Sequence, residues 1–174
     1  MQMYDYVIVG SGSAGCVLAA RLSEDPDITV CLIEAGGGDR HPAVKIPAAF
    51  PTLFGTDRDW GYYSDPEPGL MGRRLYLPRG KMIGGSSSMN AMLYVRGNRA
   101  DFDGWAKAGL PNWSYEDVLP AFRRIEDFAG GADEYRGVGG PLHVNDHRSR
   151  TGLTEQLVAA AVEAGLPFNP DYNG

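Results

Sequence analysis

The chain has 174 residues, of which 43% are hydrophobic, and a formal net charge of −6. This charge argues against a broad basic surface, so we expect no nucleic-acid partner. The apolar runs are too short to span a bilayer, and the first strand begins so close to Met1 that we expect no cleaved signal or transit segment. The composition agrees with a soluble α/β protein.

The two cysteines bear on the cellular compartment. Cys16 falls on the first predicted helix and Cys31 in the second predicted strand, where thiols usually serve as small core residues. They form neither a C-x-x-C pair nor a metal-ligand spacing, so we expect reduced thiols and no metal site. Reduced thiols are typical of intracellular proteins. We therefore expect a cytoplasmic protein, with peripheral association with the inner membrane as an alternative.

Residues 1–36 predict a βαβ dinucleotide-binding unit. Residues 5–9 form a short apolar run typical of a buried parallel strand. Gly10, Gly12 and Gly15 follow with G-x-G-x-x-G spacing, which allows a tight turn, close approach of a pyrophosphate, and packing of the helix on the strand. The helix is predicted to open at Ser13 and to end before Pro26, and residues 29–33 have the composition of a second strand.

Glu34 ends the second predicted strand, nineteen residues after Gly15. An acidic side chain at this position bonds a ribose hydroxyl of a dinucleotide, and its negative charge disfavours the 2′-phosphate of NADP. The alternative is a glycine-rich turn in an unrelated α/β protein. Strand, helix, second strand and acid occur in the expected order, which makes that alternative the weaker one.

A long irregular segment occupies residues 37–78 and is rich in Gly, Pro and aromatic residues. A loop of this length inside a domain is usually functional, and its aromatic content argues against disorder. The basic residues in and after this segment are expected to lie in a solvated loop with one or two cofactor contacts. They are Arg73, Arg74, Arg79 and Lys81.

Residues 80–103 contain a second element suited to phosphate. Gly84 and Gly85 precede three serines, a combination that lets the backbone approach a ligand and offers hydroxyl and N–H groups to a pyrophosphate. The two phosphate-handling elements lie about seventy residues apart. Together they suggest one long cofactor that the chain binds at two points.

Helical patterns return after the second element. Residues 101–108 have helical character, and Ser114 with Asp117 forms a capping box that starts another helix. Pro120 is expected to kink that helix, whose apolar face comprises Val118, Leu119, Phe122 and Ile125. A loop is predicted at 130–140 and a short strand at 141–144. An alanine-rich helix over 153–164 is expected to stop at Gly165.

These motifs together resemble the N-terminal part of the glucose–methanol–choline (GMC) family of flavoprotein oxidoreductases. Residues 80–103 fit the first consensus motif of that family, and residues 5–22, 34–36 and 112–115 fit as well. The chain is most similar to choline-dehydrogenase-like and alcohol-dehydrogenase-like members. The resemblance implies a Rossmann-type FAD-binding fold, incomplete in this chain, with a long flavin-covering loop and additional helices.

The resemblance also implies a domain organisation. Residues 1–174 would be the N-terminal part of the FAD-binding domain. Within it, residues 1–36 would form the βαβ unit, residues 37–110 the loop and the flavin-contacting motif, and residues 111–174 helical segments leading toward a missing substrate domain. The C-terminal remainder of the same protein is therefore an expected partner, either as a continuation or as a second fragment.

The cofactor implied by the resemblance is FAD. Some family members attach it covalently to a histidine, but Met89 occupies that position here, so we expect non-covalent FAD. Trp60 matches an aromatic near the cofactor, with a loop-packing role as an equal alternative. The residues that the resemblance places at the cofactor are Gly10, Gly12, Ser13, Ala14, Gly15, Glu34, Ala35, Trp60, Arg79, Gly80, Met82, Gly85, Ser86, Asn90, Ala91, Met92 and Leu93.

The function implied is FAD-dependent oxidation of an alcohol to an aldehyde or ketone, with hydride transfer to flavin N5. The catalytic histidine of the family lies far downstream, and His41, His143 and His147, all expected in loops, match no catalytic position. We therefore expect no catalytic residue in this chain and no activity from it alone. The substrate would be a small-molecule alcohol, and the electron acceptor stays open.

Three alternatives remain. The same scaffold could serve a non-dehydrogenase enzyme, such as a hydroxynitrile lyase or a fatty-acid photodecarboxylase. The chain could also be a non-catalytic FAD-binding half that complements another chain. An NAD-dependent dehydrogenase is disfavoured, because the 80–103 element has no place in a simple NAD-binding fold.

Overall fold

The computed structural model describes residues 3–147 and 151–174. The chain divides into two units, Met1–Leu93 and Tyr94–Gly174. The organisation into residues 1–36, 37–110 and 111–174 stays a prediction, because it concerns functional segments and not packing units. None of the helices in the described part of the chain is both long enough and apolar enough to cross a membrane.

The first unit begins with the βαβ arrangement. Strand β1 (Tyr6–Val9) leads into helix α1 (Ser13–Leu22), and strand β2 (Val30–Ile33) returns parallel to β1. In this register the first residue of β1 pairs with the first residue of β2, and the following residues pair in order along both strands. Both strands and the helix confirm the predictions for this segment.

The predicted irregular segment contains short elements. They are helix α2 (Pro42–Lys45), 3₁₀ turns at Pro47–Leu53 and Pro68–Leu70, and the antiparallel strands β3 (Tyr62–Tyr63) and β4 (Tyr76–Leu77). A further 3₁₀ turn, Gly85–Ser88, follows within residues 80–89, which form the second glycine loop. The first glycine loop is residues 10–12, between β1 and α1. The sequence patterns did not indicate the β3–β4 pair, because strands of two residues carry no periodicity to detect.

A small apolar core lies beside the second glycine loop. Ala43, Leu53, Met82 and Met89 are buried together, with Val44, Ala49 and Phe54 packed against them. The two methionines flank the 3₁₀ turn of that loop, so their burial fixes the loop at both ends. This core explains why the irregular segment is ordered despite its high glycine and proline content.

The second unit contains the predicted helices and one strand pair. Helices α3 (Arg99–Lys107) and α4 (Tyr115–Ile125) are followed by strand β5 (Glu126–Phe128), strand β6 (Leu142–Val144) and helix α5 (Gly152–Glu163). The strands β5 and β6 pair in parallel. The capping box at Ser114 and Asp117 is confirmed, and Gly165 ends α5 with a positive φ of 93°.

The structure differs from the sequence predictions at one strand of the second unit and at one cysteine of the first unit. Strand β5 was not predicted, because it follows the apolar face of α4 directly and no glycine or proline separates the two. Cys16 was expected in the core but its side chain is exposed, whereas Cys31 is partly buried, and both are free thiols.

A buried ion cluster holds the second unit together. The carboxylate of Glu126, with no exposed surface, lies 2.8 Å from Arg96 Nη2 and 3.2 Å from Arg136 Nη1. Its Oε2 also accepts the N–H of Gly137 at 3.0 Å. Arg136 pairs further with Asp171 at 3.4 Å. Buried charges are tolerated only when paired in this way, so the cluster ties β5 to three other segments.

Each unit also exposes apolar side chains. In the first unit, Val7 and Val9 of β1 are 58% and 83% exposed. In the second unit, Leu153 and Leu157 of α5 are 75% and 69% exposed. Neighbouring exposed apolar residues of this size are typical of surfaces that pack against further protein.

Candidate functional site

The first unit brings the two glycine-rich elements together. The N–H of Gly84 donates to the carbonyl of Ser11 at 2.8 Å, and the N–H of Ile83 donates to the carbonyl of Gly37 at 2.9 Å. Gly37 also pairs with Met82 in a parallel bridge. The loop after β1, the end of β2 and the second glycine loop therefore form one continuous backbone surface.

Glycine is required where these backbones meet. A Cβ on Gly15 would lie 1.9 Å from the carbonyl oxygen of Gly10, and a Cβ on Gly85 would lie 2.9 Å from Cα of Gly12. A Cβ on Gly36 would lie 2.0 Å from the carbonyl oxygen of Lys81. These approaches leave no room for a side chain at Gly15, Gly36 or Gly85.

The N-terminus of α1 is open to an anion. Gly12 is its N-cap, and among the described residues no side chain caps it and no acidic residue lies in its first turn. Ser13 and Ala14 are exposed. Uncapped N–H groups and the positive end of the helix dipole attract an anionic group. This end of the helix therefore fits a cofactor pyrophosphate.

Glu34 is joined to the first glycine loop. Its Oε2 accepts both the N–H and the hydroxyl of Ser11, each at 2.8 Å, and its Oε1 accepts the N–H of Gly36 at 2.9 Å. The hydrogen bonds from the N–H groups of Ser11 and Gly36 lower the pKa of Glu34 below its usual value. The side chain is thus a fixed negative charge at the end of β2, where the ribose contact was predicted.

The three serine hydroxyls of the second loop differ in the hydrogen bonds that they already make within the loop. The hydroxyls of Ser87 and Ser88 donate to the carbonyls of Gly84 and Ile83 at 2.6 and 2.8 Å, so those protons are used within the loop. The hydroxyl of Ser86 accepts the N–H of Gly80 at 3.1 Å and keeps its own proton to donate. Within residues 3–147 and 151–174, the Ser86 hydroxyl is the one of the three whose proton has no acceptor.

The remaining predicted contacts lie along the same segment. Met82 is fully buried in the apolar core, so only its backbone is available to a cofactor. Asn90 accepts the N–H of Met92 at 2.8 Å, which supports the positive φ of 56° at Met92. Ala91, Met92 and Leu93 are exposed. Their roles at the cofactor stay predictions.

Trp60 has contacts within the loop. Its ring stacks on Tyr62 with centroids 5.7 Å apart, and Lys81 Nζ lies 4.9 Å from the Trp60 ring centroid. These contacts favour the loop-packing alternative, although 42% of the residue is exposed. The backbone N–H of Trp60 donates to the carbonyl of Arg79 at 2.9 Å, so Trp60 lies directly beside the start of the second loop.

Asp59 supports the second loop and was missed by sequence reasoning. Its Oδ1 accepts the N–H groups of Arg79 and Gly61 at 2.9 and 3.1 Å. Its Oδ2 accepts the N–H of Gly55 at 2.9 Å and the hydroxyl of Tyr76. Burial is the largest influence on this carboxyl and raises the pKa, but the hydrogen bonds outweigh it and lower the pKa from 3.8 to about 2. Only its position just before Trp60 could have drawn attention to it.

We expect Asp59→Asn to destabilise the full-length protein at neutral pH, because the amide nitrogen must face donors that now bind a carboxylate oxygen. A buried donor left unsatisfied costs about 1–3 kcal/mol. The folded-state pKa lies below the unfolded value, so this stabilisation is present above about pH 4 and is lost as the pH falls toward about 2. In urea unfolding, the variant should therefore have a lower free energy of unfolding than the wild type at neutral pH, and the difference should be smaller near pH 2. The control Asp57→Asn, which changes an exposed carboxylate, should match the wild type at both pH values.

His41 and His143 occupy structural positions. Nδ1 of His41 accepts the N–H of Ala43 at 3.2 Å and caps α2. His143 lies in strand β6 and not in a loop as expected, with its Nδ1 3.2 Å from Asp127. Within residues 3–147 and 151–174, no three His, Cys, Asp or Glu side chains come together as a metal site.

Comparison with known proteins identifies the family. The model of the GMC oxidoreductase family matches residues 4–174. An oxygen-dependent choline dehydrogenase of Rhizobium rhizogenes is 49% identical over 171 residues, which cover 98% of this chain and 31% of that protein.

Solved structures agree with this match. A pyridoxine 4-oxidase of Mesorbium loti superposes with a TM-score of 0.85 at 44% identity, over 95% of this chain and 33% of that one. An FAD-dependent oxidoreductase of Chaetomium thermophilum superposes with a TM-score of 0.84 at 35% identity, over 99% of this chain and 31% of that one. The chain thus spans about one third of the length of these relatives. It is an α/β chain that belongs to the GMC oxidoreductase family and matches the N-terminal part of its members.

Proposed function

We propose that this chain forms the FAD-holding part of an enzyme that oxidises an alcohol to an aldehyde or ketone. The observation that carries the proposal is the junction of two glycine loops beside an uncapped helix N-terminus. The names of two relatives, a choline dehydrogenase and a pyridoxine 4-oxidase, support an alcohol as the substrate class. The α/β unit would be part of a Rossmann-type FAD-binding fold.

Each element of the site has a proposed role. The first turn of α1 binds the pyrophosphate, Glu34 binds the adenosine ribose, and the second glycine loop with Asn90 and the residues after it binds the flavin end. Bound FAD would supply the redox chemistry by accepting a hydride at flavin N5. The catalytic base would come from the rest of the protein, because His41 caps a helix and Nδ1 of His143 lies within hydrogen-bond distance of Asp127.

We propose the C-terminal remainder of the protein as the partner of this chain. The exposed apolar residues Val7 and Val9 on β1 and Leu153 and Leu157 on α5 support this proposal, and so does the greater length of the relatives. Burial of apolar surface is worth about 25 cal/mol per Å², so covering these residues would contribute substantially to stability.

The proposed function is tested on the full-length protein. We expect flavin absorption bands in the purified protein and reduction of a dye acceptor when primary alcohols are added. Bound flavin without alcohol turnover would favour a lyase, a photodecarboxylase or a non-catalytic role. The absence of flavin binding would contradict the proposal altogether.

We expect the flavin to be bound without a covalent link, because Met89 offers no nucleophilic nitrogen and its side chain is buried in the apolar core. Acid precipitation of the full-length protein should release FAD into the supernatant. Flavin colour that stays with the washed, unfolded polypeptide would contradict this expectation.

We expect Glu34→Ala in the full-length protein to weaken FAD binding about ten- to a hundredfold, because hydrogen bonds to a charged group are worth about 1.5–3 kcal/mol. Glu34→Gln should lose nearly as much FAD affinity. Its amide nitrogen would have to face the N–H of Ser11 or the N–H of Gly36, and both of these groups are donors. Flavin fluorescence titration measures both. Glu24→Ala, which removes an exposed carboxylate paired with Arg21, should leave the affinity unchanged.

A further inference from the structure

Ser11, the residue between the first two glycines of the motif, is hydrogen-bonded to both other parts of the site. It is 1% exposed. Its hydroxyl and its N–H both donate to Oε2 of Glu34 at 2.8 Å, and its carbonyl accepts the N–H of Gly84 at 2.8 Å. The residue therefore links the first loop, the end of β2 and the second loop.

Both carboxylate oxygens of Glu34 accept hydrogen bonds. A carboxylate offers about four acceptor sites, two on each oxygen. Oε2 uses both of its sites for Ser11, and Oε1 uses one for the N–H of Gly36. The backbone N–H of Ala35 also lies close enough to lower the pKa of this carboxylate. Of the two oxygens, Oε1 is the one that Ser11 does not bind.

We propose that Ser11 is a positioning residue for adenosine recognition. It holds Oε2 of Glu34, so that Oε1, which Ser11 does not bind, is presented to the adenosine ribose of the cofactor. This inference rests on the proposed FAD function and adds to it the residue that orients the ribose ligand. A glutamate side chain has several rotatable bonds, and fixing them before the cofactor arrives lowers the entropy cost of binding.

The test uses the full-length apoprotein, titrated separately with FAD and with ADP, which carries the adenosine ribose but no flavin. The variants are Ser11→Ala, Glu34→Ala and the double variant. We expect Ser11→Ala to weaken the binding of FAD and the binding of ADP by the same factor, about tenfold. Because Ser11 acts through Glu34, the double variant should bind no more than about twofold more weakly than Glu34→Ala alone.

A general structural defect would give a different result. In that case the losses from the two single variants would multiply in the double variant, and this outcome would overturn the proposal, as would unchanged ADP and FAD affinity in Ser11→Ala. Ser11→Cys is made alongside, because a thiol fills the same site and donates only weakly; if Ser11→Ala does not fold, the same expectations apply to Ser11→Cys.

The control is Ser23→Ala at the other end of α1. Its exposed hydroxyl donates to the carbonyl of Ala20 and has no link to Glu34, so we expect unchanged affinity for both ligands. Failure of the wild-type apoprotein to bind FAD would overturn the proposed function instead, and the ADP titration would still decide the role of Ser11.

Discussion

Glu126→Ala is expected to destabilise the full-length protein by about 3–5 kcal/mol, the usual cost of removing one partner from a buried ion pair. The guanidinium groups of Arg96 and Arg136 would remain in the interior with their side chains only 3% exposed. The N–H of Gly137 would lose its acceptor as well. Chemical denaturation followed by circular dichroism measures the loss.

The matched control for this prediction is Glu116→Ala. Glu116 pairs with Arg99 at 2.9 Å, but the two side chains are 69% and 52% exposed. Exposed pairs contribute about 0–1 kcal/mol, so this variant should unfold close to the wild type. Equal, small effects for Glu116→Ala and Glu126→Ala would show that the buried cluster contributes little.

Gly36→Ala is expected to disrupt the proposed cofactor site. The added Cβ would lie 2.0 Å from the carbonyl oxygen of Lys81 and 2.5 Å from the nitrogen of Met82. These are backbone atoms, so the second loop must move away from the end of β2. Overpacking of this kind costs about 1–3 kcal/mol, and 3 kcal/mol at a binding site corresponds to about a hundredfold weaker FAD binding.

Gly38→Ala is the control for Gly36→Ala. It makes the same substitution two residues later, where no atom lies within 4 Å of the new Cβ and φ is not positive. Its FAD affinity should match the wild type. Equal FAD affinity for Gly36→Ala and the wild type would mean that the second loop does not need to lie against β2.

The regular elements could be predicted from sequence because their signals are local. Periodicity and glycine spacing predicted β1, α1 and β2, and the capping box at Ser114 predicted the start of α4. Strand β5 was missed because three residues directly after a helix carry no separate signal. The exposure of Cys16 was missed because the helix has exposed positions on more than one face.

The glycine positions of the site could be predicted from the sequence, whereas the side-chain contacts that support the site could not. The need for glycine at Gly15 follows from a known motif, and the structure supplies the clash that explains it. Ser11 and Asp59 could not be found in this way. Each acts through hydrogen bonds to residues 23 and 20 positions away, Glu34 and Arg79, and such pairings depend on the folded chain.

An experimental structure of the full-length protein with its cofactor would show whether the two glycine loops form one FAD site. We expect FAD whose pyrophosphate contacts the first turn of α1, whose adenosine ribose contacts Oε1 of Glu34, and whose flavin end lies against the second glycine loop and Asn90. A cofactor that contacts the first loop alone, or density for a nicotinamide dinucleotide in its place, would contradict the proposed FAD site.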